Sequence, residues 1–137
     1  MILADTGAVI GLMDARDPQH AVLSELYVQD PDSWVLPWAV LPEIDHILAA
    51  RVGAHVEAAF LADLDDGRYA VEWGDAEDVA RAHELNRQYR ALNLGLVDGV
   101  VMAIAERLKA EAIATLDLKH FGAVKIAGAP RLLPRDL

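Results

Sequence analysis

The sequence of 137 residues contains no cysteine. Disulfide bonds, thiolate zinc sites and cysteine nucleophiles are therefore excluded, and the absence of disulfides suits a reducing compartment, so we expect a cytoplasmic protein. No run reaches the ~18 consecutive apolar residues that a membrane-spanning helix needs. The first residues, Met1 to Asp5, lack the basic segment with which a secretory signal peptide begins. We therefore expect neither a membrane span nor a signal peptide.

Basic residues are also scarce. Twelve Lys and Arg stand against 22 Asp and Glu, which gives a formal net charge of −10. Nucleic-acid-binding proteins usually have the opposite bias, so bound cations or a basic partner would have to balance this charge if the protein acts on nucleic acid. Hydrophobic residues make up 54% of the sequence. We expect one domain over residues 1–137, with an unusually complete core or with apolar surface reserved for a partner.

Short apolar segments alternate with helical patterns along the chain. We predict strands at residues 2–4, 34–36, 69–71 and 112–115, with 124–126 as a candidate fifth strand. Two long helices are predicted at residues 75–90 and 97–110, and residues 131–137 are expected to be loosely ordered. This alternation predicts an α/β fold with a mostly parallel sheet of four to five strands and helices on both faces.

One carboxylate stands alone in an apolar segment. Asp98 is the only charged residue between Leu94 and Ala105. Burial of an unpaired carboxylate costs several kcal/mol, so such a residue is usually paired, bound to a cation or used as a helix cap. A helix N-cap and a functional carboxylate both remain open for Asp98.

Two further acids directly follow predicted strands. Asp5 comes after Ile-Leu-Ala, and Asp117 comes after Ile-Ala-Thr-Leu. Ligands of open parallel sheets bind beyond the carboxyl ends of the strands, so these two side chains can be near neighbours. Their mutual repulsion requires a compensating charge, which a divalent cation would supply. Glu43 is a weaker candidate, because on the helical wheel Asp45 flanks the same apolar stripe on its other side.

The chemistry that fits such carboxylates is metal-assisted phosphodiester hydrolysis with Mg²⁺ or Mn²⁺. The five histidines show no pairwise spacing typical of metal ligands. A metal-free ribonuclease, with one histidine as acid and another as base, is therefore not indicated. A phosphatase of the haloacid-dehalogenase type is disfavoured as well, because Gly7 stands where its second carboxylate would be.

The order and spacing of these residues resemble a known family over essentially the whole chain. The matching residues are the segment Met1–Gly7, Glu43 after a proline, Asp98 after Leu-Val, and Thr115-Leu-Asp117 followed by Phe121. They are similar to PIN domains and, among these, to the VapC toxins of bacterial toxin–antitoxin pairs. The resemblance implies a three-layer sandwich and an Mg²⁺- or Mn²⁺-dependent endoribonuclease. Such a toxin cleaves tRNA or rRNA and inhibits translation.

The resemblance also assigns roles to individual residues. It implies that Asp5, Glu43, Asp98 and Asp117 are the catalytic and metal-binding carboxylates, and it prefers Glu43 to Asp45. Thr6 and Thr115 would orient these groups.

The resemblance further implies a homodimer and a cognate VapB-like antitoxin with a basic tail. Arg51, Lys119 and His120 are candidate RNA contacts. The alternative that remains is a PIN-like protein that acts only through binding.

Overall fold

A computed structural model describes residues 1–137. Five strands form one sheet in the order β3-β2-β1-β4-β5, and every neighbouring pair is parallel. The strands are β1 (Ile2–Ala4), β2 (Trp34–Pro37), β3 (Ala70–Glu72), β4 (Ala112–Ala114) and β5 (Arg131–Leu133). Because all five run in the same direction, their carboxyl ends meet at one edge of the sheet.

Seven α-helices connect and flank these strands. They are α1 (Thr6–Met13), α2 (His20–Gln29), α3 (Leu41–Ile47), α4 (Ala54–Asp65), α5 (Ala76–Gln88), α6 (Gly95–Leu108) and α7 (Leu118–Phe121). Helix α1 packs against α2 and α3, whereas α5 packs against α6. The predicted α/β fold, with a parallel sheet between helices, is therefore confirmed. None of the helices has the length and apolar character required to cross a membrane.

The two central strands are apolar because helices cover the sheet on both sides. In β1, Leu3 and Ala4 are completely buried, and all three residues of β4 are buried as well. Strands covered on both faces read as continuous apolar runs rather than as alternating patterns. The acids that directly follow these two runs therefore mark the strand ends.

The fifth strand differs from its prediction. Residues 124–126 are not a strand, although Val124 and Ile126 are buried in the core. The strand lies instead at Arg131–Leu133, inside the segment expected to be loosely ordered. It is held by the N–H of Arg131, which donates to the carbonyl of Glu111, and by the N–H of Thr115, which donates to the carbonyl of Leu133. The expectation of a loose tail was wrong because main-chain pairing and two buried leucines anchor this segment.

Candidate active site

The ends of β1 and β4 bring two predicted site residues together. Ala4 pairs with Ala114 across the two strands, so Asp5 and Thr115 lie at adjacent strand ends. The Thr115 hydroxyl donates to Oδ2 of Asp5 at 2.9 Å and accepts from the N–H of Asp117 at 3.0 Å. Thr115 is 1% exposed. This buried hydroxyl therefore ties Asp5 to the loop that carries Asp117.

Helix α6 supplies the third acid, Asp98. The helix begins at Gly95, because the side-chain amide of Asn86 bonds both the N–H and the carbonyl of Gly95 at 2.8 and 3.0 Å. Asp98 consequently lies within the first turn, and no side chain caps the helix. The N-cap interpretation of Asp98 is therefore wrong. Its carboxylate is directed to other side chains rather than to the free N–H groups of the helix.

Gly99 has a packing role beside this carboxylate. A Cβ atom at Gly99 would lie 2.8 Å from the Cβ of Ala82 on α5. Only glycine therefore allows α6 to approach α5 this closely. A substitution with alanine would force the two helices apart and would displace Asp98. The cost of this clash outweighs the small gain in helix propensity that alanine brings.

His120 lies between two of the carboxylates. Its Nδ1 is 2.6 Å from Oδ2 of Asp98 and 3.1 Å from Oδ2 of Asp117. The backbone N–H of His120 also donates to Oδ1 of Asp117 at 3.0 Å, which caps the short helix α7. From the sequence, His120 was expected only as an RNA contact. Its three-residue spacing from Asp117, which places both side chains on one helical turn, is the pattern that indicates its position beside this acid.

Burial and mutual repulsion raise the pKa of two of the acids. Asp5 is 6% exposed, and its burial, with a smaller contribution from the charges of Asp98 and Glu43, raises its pKa to about 6. Burial also raises the pKa of Asp98, with His120 opposing the rise and with Asp117 and Glu43 adding to it. The four predicted carboxylates therefore lie close enough to influence one another.

The structure distinguishes Glu43 from Asp45. Glu43, in the first turn of α3, lies close enough to the cluster for its charge to contribute to the raised pKa of both Asp5 and Asp98. Asp45 faces Glu57 of α4 instead, and this contact raises the pKa of Glu57. The two positions looked equivalent on the helical wheel because the wheel does not show which neighbouring element each side meets.

The other predicted residues take different positions. Thr6 is 5% exposed at the start of α1, and its hydroxyl is buried without a hydrogen-bond partner. Arg51 and Lys119 are exposed. Neither forms an ion pair with the four carboxylates, whose ion pairs both involve His120. The site therefore contains acids, hydroxyls and one imidazole, and no Arg or Lys forms an ion pair with its acids.

The donor set fits a hard divalent cation. Asp98, Asp117 and His120 offer one donor atom each, all within 4.8 Å of one another. Carboxylate oxygens are the preferred ligands of Mg²⁺ and Mn²⁺. A cation there would relieve the repulsion between acids that contributes to the raised pKa of Asp5. Thr6 follows Asp5 directly, and its buried hydroxyl has no hydrogen-bond partner, so it is available to a ligand of the site. The residues present are therefore suited to hold such an ion.

Comparison with known proteins agrees with the fold. The family model described as PIN domain matches residues 2–126, so the chain belongs to the PIN domain family. The chain is also 31% identical over 130 residues to Ribonuclease VapC26 of Mycobacterium tuberculosis, an alignment that covers 95% of this chain and 96% of that protein. It is therefore a VapC-like member of the family.

Two solved structures show the same fold. Mycobacterium tuberculosis VapC20, described as a sarcin–ricin loop cleaving toxin, superposes with a TM-score of 0.81 at 22% identity and covers 95% of this chain and 99% of its own. VapBC2 from Rickettsia felis, crystallised with a DNA fragment from the promoter of the pair, gives a TM-score of 0.69 at 16% identity and covers 96% of this chain and 97% of its own. At these identities the likeness establishes the fold.

Proposed function

We propose that the protein is an Mg²⁺- or Mn²⁺-dependent endoribonuclease and the toxin of a toxin–antitoxin pair. The observation that carries this proposal is the convergence of Asp5, Glu43, Asp98 and Asp117 at the carboxyl edge of the sheet. A buried acid such as Asp5, which is 6% exposed and has other acids nearby, is costly unless the group binds a cation. Membership in the PIN domain family and 31% identity to a ribonuclease support the same activity.

The position of each residue in the site indicates its role in the reaction. Asp5, Glu43, Asp98 and Asp117 would hold a divalent cation, which when bound would supply charge neutralisation at the scissile phosphate and a more acidic attacking water. Thr115 fixes the orientation of Asp5 and the loop before Asp117 through its two hydrogen bonds. Rigid placement of these carboxylates minimises the reorganisation that the reaction requires.

The substrate in this proposal is structured RNA, either tRNA or rRNA. One solved relative is described as cleaving the sarcin–ricin loop, which supports a stem-loop target. Because the chain carries a net charge of −10, RNA must be attracted locally rather than by the whole molecule. Arg51 and Lys119 are exposed and free to contact phosphates. His120 would approach RNA only at the cluster itself.

The partner in this proposal is a VapB-like antitoxin, and the toxin acts in the cytoplasm as a homodimer of single-domain subunits. An apolar groove on the surface could receive the amphipathic segment of an antitoxin, since it is lined by Leu12, Met13, Tyr27, Val28 and Tyr69. Val28 is 69% exposed. Asp63 lies near Tyr69 and adds to the effect of burial that raises the pKa of this tyrosine to about 12. Apolar surface beside acid suits a partner with a basic tail.

Removal and restoration of metal test the proposed activity. The purified protein should cleave total tRNA or rRNA, lose this activity in excess EDTA, and regain it when Mn²⁺ or Mg²⁺ is added back. Ca²⁺ should bind without supporting the same rate. Undiminished cleavage in EDTA would contradict metal dependence. RNA that remains intact under every metal condition, with a folded protein, would favour the binding-only alternative.

A further inference from the structure

We propose that His120 is itself a ligand of the divalent cation and gives the site a preference for Mn²⁺ over Mg²⁺. This inference rests on the proposed function, because it concerns the same cation. The family resemblance implied a site made of carboxylates alone. The structure adds a nitrogen donor at its centre, since the imidazole of His120 contacts both Asp98 and Asp117.

The spacing of the three donors fits one coordination sphere. Nδ1 of His120 lies 2.6 Å from Oδ2 of Asp98 and 3.1 Å from Oδ2 of Asp117. Adjacent ligands of an octahedral ion at ~2.1 Å are about 3 Å apart, because they subtend a right angle at the metal. The two contacts lie on either side of this value. The nitrogen is therefore placed as a neighbour of both oxygens, and the donor atoms of Asp98 and Asp117 lie within 4.8 Å of each other, so that the two carboxylates would close around the ion.

The main chain near Leu92 lies on another side of the ring. The backbone of Leu92 is close enough to interact with the imidazole of His120. A histidine that binds metal through one nitrogen usually donates its other N–H to a carbonyl or carboxylate, which fixes the tautomer and the ring orientation. The carbonyl of Leu92 would take this role once Nδ1 binds the ion.

The nitrogen has a consequence for metal choice. Mg²⁺ is a hard cation that prefers oxygen ligands and retains its waters, whereas imidazole binds well to transition-metal ions. A site with three or four carboxylates and one imidazole should therefore gain more affinity for Mn²⁺ than for Mg²⁺. If His120 were only a positive counter-ion for the acids, a bound metal would have to displace it. Removal of the ring would then strengthen metal binding rather than weaken it.

The experiment measures Mn²⁺ and Mg²⁺ binding to wild type, His120→Ala and His120→Asn by isothermal titration calorimetry at one pH and one ionic strength. His83→Ala is the matched control, because His83 is exposed on α5 and lies outside the cluster. We expect both His120 variants to lose at least about tenfold in Mn²⁺ affinity, with a smaller change for Mg²⁺. Circular dichroism checks that the variants are folded.

A spectroscopic measurement tests the nitrogen directly. Electron spin-echo envelope modulation of bound Mn²⁺ should show coupling to ¹⁴N in wild type and in His83→Ala, and this coupling should disappear in His120→Ala. The inference is overturned if wild type lacks nitrogen coupling, or if His120→Ala binds Mn²⁺ as tightly as wild type or more tightly. Wild type that binds neither ion would overturn it too, but would also refute the metal dependence of the proposed function, so the two failures are distinguishable.

Discussion

Replacement of Asp5 by asparagine should stabilise the metal-free protein. Burial, with a smaller contribution from nearby acids, raises the pKa of Asp5 from 3.8 to about 6. Since one pKa unit corresponds to ~1.4 kcal/mol, ionisation of Asp5 destabilises the folded state by about 3 kcal/mol above pH 6. Asparagine removes this charge but also one acceptor, which costs about 1 kcal/mol. We therefore expect a net gain of about 2 kcal/mol at pH 7.5.

The sign of the pH dependence follows from the raised pKa. Below pH 3.8, Asp5 is protonated in both the folded and the unfolded state, so its ionisation contributes no penalty. The penalty grows as the pH rises from 3.8 towards 6 and is constant above that range. At pH 4 the penalty is smaller than the ~1 kcal/mol cost of the lost acceptor, so Asp5→Asn should give no stabilisation there, whereas its advantage should be fully developed at pH 7.5.

Thermal denaturation in excess EDTA checks this prediction. A gain of about 2 kcal/mol corresponds to a rise in Tm of roughly 7 °C for a protein of this length. Asp65→Asn is the control, because Asp65 is exposed at the end of α4, and it should leave Tm within about 1 °C. Asp45→Asn would be a poor control, because Asp45 contacts another acid, Glu57, and its replacement would also relieve repulsion. A lower Tm for Asp5→Asn at pH 7.5, or the same gain at pH 4, would refute the reasoning.

Three further outcomes follow from the same site. Attack by an activated water should leave 5′-phosphate and 3′-hydroxyl ends, so detection of 2′,3′-cyclic phosphate by end-labelling would refute the mechanism. Mn²⁺ at ten times its Kd should stabilise wild type by ~1.4 kcal/mol and raise Tm by roughly 3–6 °C, and this shift should shrink in Asp98→Asn but persist in Asp65→Asn. Co-expression with the cognate antitoxin should raise the soluble yield and abolish cleavage; separate elution of the two proteins at micromolar concentration would contradict the partner assignment.

The sequence was sufficient for the fold class and for the positions of the central strands. Strands β1 and β4 are buried on both faces, so each is a continuous apolar run that ends at a polar residue. The rule that ligands bind beyond the carboxyl ends of parallel strands then placed Asp5 and Asp117 at one edge. The isolation of Asp98 among apolar residues indicated the third acid. These inferences depend on local pattern and on one topological rule.

The remaining features depend on contacts between distant segments. Strand β5 has only three residues between Pro130 and Pro134, which is too short for a recognisable period. The contact of His120 with Asp98 joins α7 to α6 across 22 positions of sequence. The difference between Glu43 and Asp45 arises because Glu57 of α4 lies beside Asp45. No local pattern carries this information.

The central claim is that the four carboxylates form a metal-dependent nuclease site, and the cleavage rate of Asp98→Asn tests it most directly. Asparagine has nearly the same shape but lacks the charge that holds a cation, so the rate with saturating Mn²⁺ should fall at least ~100-fold. The circular dichroism spectrum should stay native, and the exposed control Asp65→Asn should cleave at the wild-type rate. A folded Asp98→Asn protein that cuts RNA as fast as wild type would contradict the claim.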